Sequence, residues 1–147
     1  MREAVLNHIE GLLVTQVEEG EKALRSLQES LQTEAKSTAG DKHETGRAMI
    51  QAEMVRLNET LVRAKEALLR CRTLQHGGKA GWLYRTTGPW IFVGISMGKI
   101  LVNDQVILVV GDDAPLAKSI QGKGVGSELT IGPSQFIIEE VAGPQGR

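Results

Sequence analysis

The chain has 147 residues, 41% of them hydrophobic, 24% charged and only 3% aromatic, with 17 Lys and Arg against 18 Asp and Glu for a formal charge of −1. That length allows one ordinary domain or two small ones, and the charge balance removes the long-range attraction on which stand-alone duplex binders rely. A single Cys71 excludes an internal disulfide, and His8, His43 and His76 are too scattered for a zinc-ligand spacing.

The opening Met1-Arg2-Glu3 and the acids that follow leave no apolar signal segment. No window approaches the ~18 apolar residues of a membrane span, so the expected location is the cytoplasm. From Glu3 to about Lys36, Val5, Ile9, Leu12, Leu13, Val17, Leu24, Leu27 and Leu31 recur mostly every three or four residues, the stripe of an amphipathic helix. Gly11 and Gly20 interrupt it and predict either a local bend or a close helix contact.

From Glu44 to about Gln75, Ile50, Met54, Leu57, Leu61, Ala64, Leu68 and Cys71 alternate by four and three, a coiled-coil seam in which Cys71 reads as a small buried hydrophobe. The short stretch Ser37–His43 between the two segments predicts antiparallel neighbours. Charge agrees, since Glu10, Glu18, Glu19, Glu21 and Glu29 make the first helix acidic, whereas Arg47, Arg56, Arg63, Lys65, Arg70 and Arg72 make the second basic. Helices of this length reach roughly 50 Å, a rod with a defined tip.

Periodicity stops at His76-Gly77-Gly78. The expected outline is a helical hairpin over 1–76 with its tip at about 37–44, a linker at 77–80, a small second domain over 81–142 and a flexible tail at 143–147. In that domain β-type runs cover 82–85, 90–95, 99–102, 105–110, 128–131 and 136–141, with turns at Thr87-Gly88-Pro89 and Asn103-Asp104. Pro115 after Asp112-Asp113, with Gly122 as a stop, predicts one short helix laid across an antiparallel sheet, giving an α+β chain. All five aromatics, Trp82, Tyr84, Trp90, Phe92 and Phe136, fall here; they read as bulk for a small core or as a ligand-binding box. Gly122-Lys123-Gly124-Val125-Gly126 is not a phosphate loop, because it lies between helix and strand and lacks the Gly-Lys-Ser/Thr ending.

Asp41 and Glu44, three residues apart at the tip, admit two readings. One is a capping box, Asp41 accepting from the first-turn backbone and Glu44 reaching back. The other is a pair of carboxylates for a hard cation such as magnesium, with a partner supplying the remaining ligands. His43 beside them reads as a solvated loop residue. No nucleophile–base pair or closed metal site can be assembled, so an independent enzyme is not expected.

Gly40-Asp41-Lys42-His43-Glu44 at the end of such a hairpin resembles the Gly-Asp-x-x-Glu tip of the Gre family of bacterial transcript-cleavage factors. Residues 114–123, Ala-Pro-Leu-Ala-Lys-Ser-Ile-Gln-Gly-Lys, are similar to that family's Ser-Pro-Ile/Leu-Ala-x-x-Leu-x-Gly-Lys segment, and Phe136–Val141 resembles its closing strand. The resemblance implies an FKBP-like carboxy-terminal domain without isomerase activity that docks on RNA polymerase through Asp113, Pro115, Leu116, Lys118 and Lys123. It implies a hairpin that enters the secondary channel, where Asp41 and Glu44 help hold a magnesium ion shared with the polymerase and stimulate cleavage of backtracked RNA. Lys42 and Arg47 would lie near nascent RNA, which is met only within that complex. The chain continues Thr45-Gly46-Arg47-Ala48 where the family continues Asn-Ala-Glu-Tyr, and Ala114 replaces serine. A non-cleaving channel regulator is therefore an alternative, and a coiled-coil interaction scaffold, with Asp41 and Glu44 as a mere cap, is another.

Overall fold

A computed structural model describes residues 1–35, 40–76 and 80–144, and the side chains of all of these except 34, 35 and 40–44. The chain is α+β. Two long helices, α1 (Arg2–Ala35) and α2 (Gly40–Gln75), precede strands β1 (Trp82–Thr86), β2 (Trp90–Val93), β3 (Gly98–Val102) and β4 (Gln105–Val110). A short helix α3 (Pro115–Ile120) and strands β5 (Glu128–Ile131) and β6 (Ser134–Ala142) follow. By contact density it divides into two compact units, one formed by residues 1–10 together with 69–147 and the other by 11–68, so the division crosses both helices.

In the 11–68 unit the helices pack antiparallel. Leu13, Leu61 and Ala64 are buried, whereas Leu24, Leu27, Leu31, Ile50, Met54 and Leu57 are half-buried, as two helices alone can cover only part of each other. The opposed charges meet where Lys65 pairs with Glu21 at 3.3 Å. Gly20 is a close contact, since a Cβ there would lie 3.0 Å from Leu61 Cδ1, while Gly11 faces open space.

The other unit is layered. Its six-stranded sheet runs β3-β4-β2-β1-β6-β5. All pairings are antiparallel except β2 with β4, a departure from the uniformly antiparallel sheet expected. It arises because β3 turns back on β4 and takes the edge, leaving β4 to slot beside β2 in the same direction. The β3–β4 turn is set by Asn103 and Asp104 at φ 52° and 67°, both left-handed, the two-residue hairpin geometry that these residues tolerate best. On one face Tyr84, Ile91, Val93, Leu129 and Ile138 enclose Ala117 and Ile120 of α3. On the alternate positions Leu83, Phe92, Ile107 and Val109 are fully buried. Leu74 and Phe92 close over Gly81, where a Cβ would lie 3.3 and 3.4 Å from them. Val5, Leu6, Ile9 and Cys71 complete the helical layer of this core.

Candidate functional site

Two places carry the residues singled out from sequence. The first is the start of α2. The helix begins at Gly40, four residues earlier than the periodicity suggests, so the backbone of Asp41 and Glu44 lies within its first five residues. Asp41 is thus inside the helix rather than at the extended N-cap position that a capping box requires. Three residues apart in a helix, positions 41 and 44 share one side. The side chains of Asp41, Lys42, His43 and Glu44 lie outside the described residues, as does the 36–39 connection. Arg47 follows one turn later and is half-buried.

The second place is α3 and its flanks. Pro115 occupies the first turn, where its missing N–H has no helical partner to lose, and Ala114 stands at the N-cap without a side-chain hydrogen bond. Ala117 and Ile120 anchor the helix in the core. That anchoring turns Asp113, Pro115 and Lys118 to solvent, with Leu116 half-buried against the core. Gly122, at φ +83°, stops the helix and starts a tight loop. Lys123 is exposed, and its Nζ donates to Glu128 O at 3.0 Å, so it borders the same surface with its ammonium partly committed. The structure therefore brings Asp113, Pro115, Leu116, Lys118 and Lys123 onto one short helix and its two flanks.

Arg70 ties this surface to the end of α2. Its Nε donates to Gly94 O at 3.1 Å and its Nη2 to Asp112 Oδ2 at 3.3 Å, fixing the residue that precedes Asp113. In the sequence Arg70 is only one of a basic set, because a pairing 42 residues away leaves no local signal.

Between the sheet and the carboxy-terminal end of α3 lies a cleft of about 430 Å³, with Trp82, Tyr84, Val93, Asp112, Lys123 and Val141 in its lining. Tyr84 is otherwise buried, which pushes its phenol pKa up, and Phe92 is wholly buried. Trp82 remains 39% exposed. Trp90 instead stacks under the Arg85 guanidinium, 5.2 Å from its ring centre. Phe92 and Tyr84 thus serve the core, Trp82 and the edge of Tyr84 the cleft, and Trp90 neither.

Among the described residues, no group of three or more His, Cys, Asp or Glu is placed to hold a metal ion, and no helix is long and apolar enough to cross a membrane. No family model, curated protein or solved structure matches the chain.

Proposed function

We propose that this chain is a Gre-like factor that binds RNA polymerase, enters its secondary channel with the α1–α2 hairpin and stimulates magnesium-dependent cleavage of backtracked RNA. The observation that carries the reading is a conjunction. A hairpin of two long antiparallel helices has Asp41 and Glu44 among the first five residues of its second helix, and the sheet unit presents Asp113, Pro115 and Lys118 to solvent.

The donor set fits a hard cation in part. Magnesium takes six oxygens and usually keeps waters or phosphates among them, so two carboxylates on one side of a helical turn are half a site and need a partner's ligands. Asp41 and Glu44 would hold the ion on the factor's side, and either carboxylate can orient a water by accepting its proton in a hydrogen bond. When bound there, magnesium supplies Lewis-acid stabilisation of the phosphoryl charge. Lys42, between the two acids in sequence, and Arg47, one turn beyond Glu44, would neutralise the RNA backbone. The factor is then an accessory that completes the polymerase's active site, working in the cytoplasm where that enzyme works.

The test is to add the protein to stalled elongation complexes with magnesium. Wild type should release short 3′ RNA fragments. Asp41→Asn/Glu44→Gln should lose more than the about 10–100-fold that removal of an outer-shell partner costs a metal site, while still binding polymerase. If wild type is silent, or the double variant cleaves as well, cleavage stimulation is wrong.

Thr45-Gly46-Arg47 immediately after the acidic pair favours one second reading, a non-cleaving regulator in the same channel. It is distinguished by polymerase binding at full affinity with no fragment release.

A further inference from the structure

The outward side of α2 carries an exposed heptad that the seam does not use. Val55, Val62 and Leu69 stand seven residues apart and are 61%, 44% and 65% exposed, whereas Leu61 and Ala64 are buried in the seam. Seven residues is close to two helical turns, so the three form one row. Valine at an exposed helix position is unfavourable for both helix propensity and solvation, and a regular apolar row gives a lone hairpin nothing.

Charges run beside the row in a fixed order. Glu59 and Glu66 follow Val55 and Val62 by four residues, and Arg56 and Arg63 follow them by one. At about 100° per residue both steps turn the same way around the axis, so the carboxylates border the apolar row and the arginines lie just outside them. All four side chains are exposed. Arg56 pairs with Glu53 one turn back, and Arg63 reaches Thr60 Oγ1 at 3.4 Å. Glu59 and Glu66 make no ion pair or hydrogen bond with the described residues. This flank therefore holds both signs of charge and spends neither on another element.

Its spacing is self-complementary. In an antiparallel pair of identical helices a two-fold axis brings like flank to like flank and opposes residues equidistant from one central position. Positions 56 and 66 are equidistant from 61, and so are 59 and 63. A single register thus sets Arg56 against the partner's Glu66 and Glu59 against the partner's Arg63, and symmetry doubles both pairs. The same register serves the apolar row, since 55 and 69 are equidistant from 62, only about 1.5 Å along the axis from that centre. Val62 then meets its own copy, and Val55 meets the partner's Leu69. A parallel pair fails, because it turns the arginine flank toward Gln51, Asn58 and Lys65, none of which is a carboxylate.

We infer that the outward face of α2 binds a second copy of this chain, antiparallel, through Val55, Val62 and Leu69 and through reciprocal Arg56–Glu66 and Glu59–Arg63 ion pairs. Three apolar layers with ion pairs at the rim make a small interface, of the class below about 1,200 Å² whose partners associate reversibly. The pairing is independent of the function proposed above, although a hairpin that enters a channel alone must first leave its copy.

Sedimentation velocity of the full chain from about 1 to 200 μM is the test, and over that range wild type should pass from monomer to dimer. Arg56→Glu/Arg63→Glu makes the flank wholly acidic and Glu59→Lys/Glu66→Lys makes it wholly basic. Each alone should dimerise at least about tenfold more weakly, whereas an equimolar mixture of the two should pair as well as wild type. Recovery in the mixture shows that neither variant has merely misfolded, and far-UV circular dichroism checks the helices. A short bismaleimide should couple Val62→Cys to its own copy and leave Val55→Cys uncoupled, with buried Cys71 taking no part. Four results overturn the inference: a wild type that stays monomeric throughout, charge variants that dimerise as well as wild type, a mixture no stronger than its components, or coupling at position 55 equal to that at 62. None of them bears on polymerase binding.

Discussion

Arg2 is 7% exposed, and its guanidinium is held by backbone carbonyls. Nε donates to Gly81 O at 2.6 Å, and Nη2 to Ala80 O at 3.2 Å and Leu74 O at 3.3 Å. The planar fork matches three oxygens that a single ammonium cannot reach together. Burial draws its pKa down and Glu3 draws it back up, but the group stays charged, so removing it strands three acceptors. Arg2→Gln should cost about 2–3 kcal/mol in urea unfolding, and Arg2→Lys should recover less than half of that. Nothing in the sequence announces this residue, because a polar side chain in a first helical turn ordinarily faces water and its partners lie 72 to 79 residues away. Cys71 was legible for the opposite reason, since it stands in register with a periodic seam. Its thiol lies 3.5 Å from Leu6 O, and burial pushes its pKa up to about 11. The folded thiol therefore keeps its proton up to about pH 11, whereas the unfolded thiol releases its proton near pH 9. The unfolded chain binds fewer protons in that window, so the thiol's contribution, on the order of 2–3 kcal/mol, is complete below about pH 9 and is lost as pH rises toward 11. Stability measured across that range should fall less steeply for Cys71→Ala, and native Cys71 should resist iodoacetamide at pH 8 until the protein is unfolded.

At the scale of elements, the structure separates glycines that sequence alone cannot rank. Gly11 is an exposed helical residue with nothing near its missing Cβ, so Gly11→Ala should stabilise by about 0.5–1 kcal/mol. Gly88 lies in the β1–β2 connection that Thr86 closes, its Oγ1 donating to Pro89 O and accepting from Gly88 N. A Cβ there would sit 2.3 Å from Phe136. Gly88→Ala should destabilise by about 1–3 kcal/mol, and thermal melts of the two variants should move in opposite directions. Helix and strand identities were readable because each rests on a local period, down to the Pro115 start and Gly122 stop of α3. The start of α2 was not, since the apolar row fades before Thr45 and only backbone geometry carries the helix back to Gly40. The parallel β2–β4 pairing was hidden as well, because strand direction follows from which strand takes the edge. The Asp113–Lys123 segment was legible as a motif.

For the whole molecule, burial is uneven between the two units. The 1–10 and 69–147 unit holds most of the fully buried side chains, whereas in the 11–68 unit much of the seam is only half-covered. Amide exchange should reflect this, with protection in α2 around 45–60 at least about tenfold below that of β1, β2 and β4. The more strongly held unit is also assembled from distant stretches of chain, as the Arg2–Gly81 bond illustrates. A ribosome makes residues 1–10 well before the sheet that covers them. During synthesis Val5, Leu6 and Ile9 must therefore wait, uncovered, through the production of some 70 further residues, and the helical hairpin, whose contacts close sooner, is what can hold them in place until β1 and β2 emerge.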